Sequence, residues 1–223
     1  MKSEKDKGIL EITKAEQYRT VNELLEKSRS NANYYTLLVL SSLIIAAGLI
    51  LDSSAVIIGG MLVTPVLTPV LALALGISAS QISFLKRDLI LLGKSFLIIL
   101  ASAFLVAVIF GAKGDSSFFT NTFKTATLYF LVALVSGIAA TFAWTKKELS
   151  EVLPGIAISV ALVPPLSLVG IALSLADFES ARFYFFVFLF NFIGIAMGSL
   201  TVFSLLKFHR TEKKINREVK KSL

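Results

Sequence analysis

Between residues 34 and 206 the chain holds six apolar runs, at roughly 34–51, 55–78, 89–111, 125–145, 152–176 and 183–206. A helix needs about 20 such residues to cross the hydrocarbon core of a bilayer. Hydrocarbon offers no partner to a backbone amide or carbonyl, so each run must satisfy its own, as a helix does. The runs predict an all-α, polytopic integral membrane protein with six transmembrane helices. Polar punctuation separates them: Asp52-Ser53-Ser54, Lys86-Arg87-Asp88, Gly114-Asp115-Ser116-Ser117, Lys146-Lys147-Glu148 and Asp177-Phe178-Glu179. Only 17% of residues are charged, against about 25% in a soluble domain.

Basic residues set the orientation, because loops on the cytoplasmic side retain Lys and Arg. With the N-terminus inside, the inner segments hold Arg19, Lys27, Arg29, Lys86, Arg87, Lys146, Lys147 and the tail from Lys207. The outer loops hold only Lys113, Lys124 and Arg182, together with Asp52, Asp115, Asp177 and Glu179. An even number of spans puts the C-terminus inside as well. This predicts a multi-pass protein of the cell membrane, cytoplasmic or inner, with both termini cytoplasmic. The first run follows a polar, mixed-charge stretch and no small-residue cleavage site follows it, so it reads as an anchor and not as a signal peptide.

The second and fifth runs match each other at an offset of 100. Ile58, Leu62, Val63, Pro65, Ala72, Leu73 and Leu75 recur as Ile158, Leu162, Val163, Pro165, Ala172, Leu173 and Leu175, seven identities in the 21 positions 56–76. Apolar spans share residues by accident; the aligned proline is the informative match. Units of three spans, at about 34–111 and 125–206, enter the membrane in opposite senses. The expectation is a 3+3 inverted repeat with Pro-broken second and fifth helices, an architecture common among transporters.

The prolines sit near the middle of their runs, in Thr64-Pro65-Val66-Leu67-Thr68-Pro69 and Val163-Pro164-Pro165. An interior proline removes a donor and frees the carbonyl four residues back. Those carbonyls belong to Met61, Pro65, Val160 and Ala161. Neighbouring hydroxyls or water must satisfy them, and Thr64, Thr68, Ser159 and Ser167 are at hand. Two readings follow: a central substrate or ion site between two broken helices, or two kinked helices that Thr and Ser repair. Gly59 and Gly60 precede the first break, and small residues let backbones approach closely. In the sixth run Asn191, Gly194, Gly198 and Thr201 follow spacings of 3, 4 and 3, one helical face. That stripe is read as facing the bundle, with Gly194 and Gly198 for packing and Asn191 for an interhelical hydrogen bond or a place on the pathway. Most of the Phe residues around it are read as facing lipid.

Several chemistries find no support. No Asp or Glu falls at mid-membrane, where coupled pumps place one. Lys94 lies a turn from a run's edge and can snorkel. The chain has no Cys and one His, His209 in the tail, and carries no zinc-ligand pair, nucleophile elbow or phosphate loop. No enzyme activity, metal or cofactor is expected. The net charge of +7 is explained by span flanks and not by nucleic acid. Residues 1–33 form a cytoplasmic segment in which Tyr18, Val21, Leu24 and Leu25 predict an amphipathic helix lying at the interface. The tail 207–223, with seven basic and two acidic residues, is expected to meet anionic lipids at the cytoplasmic face. A homo-oligomer is left open.

Two stretches carry a family resemblance. Ser53-Ser54-Ala55-Val56-Ile57-Ile58-Gly59-Gly60-Met61-Leu62-Val63-Thr64-Pro65 and Leu153-Pro154-Gly155-Ile156-Ala157-Ile158-Ser159-Val160-Ala161-Leu162-Val163-Pro164-Pro165-Leu166 resemble the signatures of the bacterial and archaeal "uncharacterised hydrophobic domain" proteins, the domain-of-unknown-function family 389. Asn191 matches an Asn that its members carry in the last span. The resemblance covers roughly residues 34–206 and implies a prokaryotic membrane protein; it implies no mechanism. From the residues, the leading expectation is a channel or carrier for an ion or small polar solute. The alternative is a scaffold or sensor acting on lipids or partner proteins. Water reaching residues 61–69 and 159–167 is what separates the two.

Overall fold

The computed structural model describes residues 12–80, 82–112, 123–146, 149 and 162–208. Among them are eight α-helices and no strand: α1 Lys14–Lys27, α2 Ala32–Ile50, α3 Ser54–Val63, α4 Leu67–Ser78, α5 Ile82–Phe110, α6 Phe123–Thr145, α7 Val163–Ser174 and α8 Phe178–Leu205. Four stretches are long and apolar enough to cross a membrane: Ala32–Ile50, Leu85–Phe110, Thr127–Thr145 and Phe178–Leu205. A fifth crossing is available if α3 and α4, bent by 53° at their junction, count as one span. The chain is thus an all-helical membrane protein. Of the expected fifth run, 152–176, only the part from Leu162 lies within the described residues.

Local chemistry explains where these helices begin and end. The Thr13 hydroxyl accepts from the Glu16 amide at 3.2 Å while the Thr13 amide donates to the Glu16 carboxylate at 2.7 Å, a capping box that starts α1. Asn31 caps α2 by accepting from the Tyr34 amide at 2.8 Å, and Asp177 caps α8 by accepting from that of Ser180 at 3.1 Å. At the far end of α2 the Ser53 amide donates to the Gly48 carbonyl at 2.9 Å, with Asp52 in the left-handed region at φ 52°. The same closure ends α7: Asp177 N–H to the Ala172 carbonyl at 3.0 Å, with Ala176 at φ 56°. Each turn reverses the chain within three residues.

Glycines set the closest approaches. Gly60 faces Ile45, and Gly48 faces Ile57, so α2 and α3 run antiparallel. Gly194 meets Phe130 and Ala133, and Gly198 meets Leu134 and Ile138. The register advances together, so α6 and α8 run parallel. The chain must therefore return across the bundle between Thr145 and Phe178. The 12 residues of α7 supply about 18 Å of that return. Gly170 brings α7 onto α5 at the Leu100 carbonyl. Between lipid-facing helices no hydrophobic effect drives association, and such close backbone contacts supply the attraction. Gly59 departs from the expected packing role: a side chain there would meet nothing within 4 Å.

The two short helices lie at the centre. α4 is buried without interruption from Pro69 to Gly76, and α7 from Val163 to Ala172. α4 packs on α5 and α8, and α7 on the same two helices in exchange. Both are 12 residues long, and both are followed by a left-handed residue, Ser80 and Ala176. These two left-handed residues lie 96 positions apart, whereas the sequence identities lie 100 apart.

Other expectations shift. α5 begins at Ile82, so Lys86-Arg87-Asp88 is not a loop but part of a 29-residue helix of about 43 Å. α1 is amphipathic as expected, yet its stripe faces protein and not lipid. Val21, Leu24 and Leu25 are buried with Leu71 and Leu75 of α4, Trp144 of α6 and Phe203 and Leu206 of α8; Tyr18 is 41% exposed. In α8, Asn191, Gly194 and Gly198 are buried as read, but Thr201 is exposed and bonds back to the Met197 carbonyl at 2.9 Å. Phe188, read as lipid-facing, is 5% exposed and stands edge-on to Phe96 at 4.8 Å. Phe185 and Phe186 do face outward.

Candidate functional site

Pro65 cannot donate to a helix ladder, and it forces the residue before it into extended backbone. Thr64 accordingly leaves the helix at φ −68°, ψ 132°. The chain is non-helical from Thr64 to Val66 and turns through 53° before α4 starts. The remaining prolines break nothing in the described backbone. Pro69 sits in the first turn of α4, and Pro164 and Pro165 in the first turn of α7. Amides there have no intrahelical acceptor, so proline is tolerated. All four look like interior prolines in sequence, yet only Pro65 interrupts a helix among the described residues. Of the carbonyls expected to be freed, that of Pro65 accepts the Thr68 hydroxyl at 2.9 Å, a local repair.

The break opens on a cleft of about 550 Å³. Its walls come from the last turn of α1 (Glu26, Lys27), the start of α2 (Asn31, Asn33, Tyr34, Leu37), the break itself (Leu62, Val63, Thr64, Pro65, Leu67, Thr68) and Trp144 at the end of α6. The Lys27 ammonium lies 5.1 Å from the centre of the Trp144 ring, an electrostatic contact with the π face. The Thr68 hydroxyl also approaches the Lys27 carbonyl at 3.5 Å. The Thr64 hydroxyl and the Trp144 indole N–H are buried without a hydrogen-bond partner among the described residues. A buried polar group in that state retains its demand for a partner, worth about 1–3 kcal/mol.

The predicted pathway residues do not all meet here. Thr64, Pro65 and Thr68 line the cleft. Met61 and Pro69 are buried in the core. Pro164, Pro165 and Ser167 are buried on α7, and Asn191 on α8; none of the four lines the cleft. The Ser167 hydroxyl, too, has no partner among the described residues. Ser159, Val160 and Ala161 lie outside the described residues, as do Gly155, Lys147 and the tail from His209.

A feature that composition hid is Asp88. It is fully buried, and one carboxylate oxygen accepts from Arg87 at 3.2 and 3.3 Å. Arg87 also donates to the Ser28 hydroxyl at 3.3 Å, tying α5 to the end of α1. One helical stripe, Asp88, Leu91, Leu92, Ser95, Ile99 and Ala103, is buried. That period was present in the sequence and marks Asp88 as inward-facing. On the same stripe Ser95 donates to the Leu91 carbonyl at 2.8 Å, which leaves the Tyr34 hydroxyl to donate to Ser95 at 2.8 Å. The cation at Lys27, the hydroxyls at the break and the buried carboxylate all gather at one end of the bundle. No group of three or more His, Cys, Asp or Glu suited to a metal occurs among the described residues.

These features define an α-helical membrane protein with a bent pair of apolar helices whose junction opens on a polar-mouthed cleft. The chain belongs to the family described as Domain of unknown function (DUF389), whose sequence profile matches residues 61–197, from just before the break to the middle of α8. It is similar to an uncharacterised protein of Methanocaldococcus jannaschii, with 23% identity over 193 residues. The match covers 86% of this chain and 59% of the relative, so the chain spans well under two thirds of that protein's length. No solved structure matches it.

Proposed function

We propose that this chain is a membrane transport protein, a channel or carrier for an ion or small polar solute, built as a 3+3 inverted repeat. The observation that carries the reading is the pair of central half-helices. α4 and α7 have equal length, start with proline in the first turn, end on left-handed residues and pack reciprocally on α8 and α5. The positive N-terminal end of α4 lies at the cleft, which suits an anionic or dipolar solute. The cleft at Thr64, Pro65 and Thr68 gives water a route to the start of α4.

Charge supports an orientation with the cleft toward the cytoplasm. Arg19, Lys27, Arg87, Lys146 and Lys207 gather at the end of the bundle where α1 packs, and Asp52 and Asp177 cap the opposite end. This is the distribution of the positive-inside bias. The scaffold reading draws on a different observation: α7 is buried and close-packed from Val163 to Ala172.

Purified protein in liposomes, screened for flux of monovalent ions and small polar solutes, tests the proposal. The expected result is protein-dependent flux that Thr64→Val alters. A complete absence of flux, together with cysteines at 64 and 68 that water-soluble thiol reagents never reach, would hand the protein to the scaffold reading.

A further inference from the structure

The cleft beside Pro65 changes character along its length. Glu26 and Lys27, both exposed, form its mouth at the end of the bundle. Leu37, Leu62 and Val63 form an apolar wall, and all three are exposed on α2 and α3, helices apolar enough to lie in a bilayer. The lining also holds the Thr64 hydroxyl and, against Lys27, the Trp144 indole N–H, each buried and without a partner among the described residues. Its size, about 550 Å³, falls in the range of small-molecule sites. Glu26 and Lys27 form no ion pair with each other among the described residues, and Lys27 is held over the Trp144 ring.

We propose that this cleft seats one phospholipid of the surrounding leaflet whose head group carries both a phosphate and an amine, with the phosphate on Lys27, the ammonium on Glu26 and an acyl chain leaving along Leu37, Leu62 and Val63. Three features select this occupant. The apolar wall is continuous with the lipid-facing flank, so a water-soluble ion would leave it uncovered, whereas an acyl chain covers it. The mouth offers one cation and one anion, which matches a zwitterionic head. A head with only negative charge would satisfy Lys27 and place its charge beside the Glu26 carboxylate. The assignment does not rest on transport, since a chain that moves no solute would hold the same lipid.

Trp144 is the only tryptophan of the chain and lines the cleft, so its fluorescence reports on the occupant. The full chain in maltoside micelles is titrated with phosphatidylethanolamine or phosphatidylglycerol carrying brominated acyl chains, which quench tryptophan on contact. The amine-bearing lipid is expected to quench at a several-fold lower mole fraction. Glu26→Gln should bring the two lipids to the same level, and Lys27→Gln should weaken both; both residues are exposed, so the core is undisturbed. Equal quenching by both lipids in the unaltered chain would mean ordinary boundary lipid and overturn the proposal, as would a preference for the anionic one. Soluble phosphoethanolamine serves as the last arm. If it displaces the brominated lipid at comparable concentration, the apolar wall contributes nothing and the lipid assignment falls.

Discussion

Adding one methyl group at Gly194 and at Gly59 should move stability in opposite directions, although both glycines lie within helices. An ideal Cβ on Gly194 would stand 2.9 Å from the Phe130 carbonyl oxygen and 2.9 Å from the Ala133 Cβ, both on α6, where ordinary contact begins near 3.4 Å. α6 and α8 would have to part by about half an ångström along a shared seam of close backbone contact. Overpacking of this kind costs about 1–3 kcal/mol, offset by about 1 kcal/mol from alanine's better helix propensity. At Gly59 nothing lies within 4 Å, so Gly59→Ala should keep the propensity gain alone, about 0.5–1 kcal/mol. The two variants should therefore differ by about 2 kcal/mol. Unfolding in a graded mixture of mild and denaturing detergent, followed by Trp144 fluorescence, measures the difference. Equal midpoints for Gly194→Ala and Gly59→Ala would show that the α6–α8 seam is not the close contact described.

Three further outcomes are expected. Phe188→Leu should destabilise by about 1–2 kcal/mol, because it removes ring contacts with Phe96, Phe185 and Phe192, whereas Phe186→Leu, at a side chain 48% exposed, should stay within about 0.5 kcal/mol; the same detergent titration reads both. In this cysteine-free chain a single cysteine within 113–122 should react with a membrane-impermeant reagent from outside whole cells, and one within 146–148 only after lysis; the reverse pattern would invert the proposed orientation. Ser180, through its hydroxyl and then its amide, holds the Asp177 carboxyl below the usual Asp range. A carboxylate with a depressed folded-state pKa stabilises above the unfolded value, near 4, and that contribution is lost as pH falls through the folded value. Detergent unfolding from pH 6 down to the acid range should show this loss, and Asp177→Asn should lack it.

The long helices were legible because hydropathy is a bulk property of a run: α2, α6 and α8 lie within a few residues of the predicted spans 34–51, 125–145 and 183–206. The start of α5 was not, because Lys86, Arg87 and Asp88 read as a polar interruption when composition is averaged over all sides of the helix. Their places around the axis differ: Lys86 is exposed and Asp88 buried. The prolines were legible as punctuation but not as to kind. The same residue ends a helix at Pro65 and begins one at Pro164, and the difference lies in which amides already lack acceptors. The apolar stripe of α1 was legible, but a stripe does not say whether lipid or protein covers it. The cleft was the least accessible to a reading of local pattern, since Lys27 and Asn31, Thr64, and Trp144 come from three separate stretches. Only the packing of α1 against the ends of α6 and α8 brings them together.

That packing also orders events during synthesis. Gln17 donates to the Leu206 carbonyl at 2.9 Å, and Arg19 to the Trp144 and Thr145 carbonyls at 3.5 and 3.3 Å. Arg19 and Gln17 thereby satisfy acceptors that the last turns of α6 and α8 leave open, with a cation at the negative pole of α6. Yet the partner of α1 at Leu206 emerges 189 residues after Gln17. Until then Val21, Leu24 and Leu25 have no protein surface of α8 to cover them. The contacts of α1 with the end of α8 form only when that end has been made. The tie from Gln17 to Leu206 is thus a late, ring-closing contact between the first and last of the described helices.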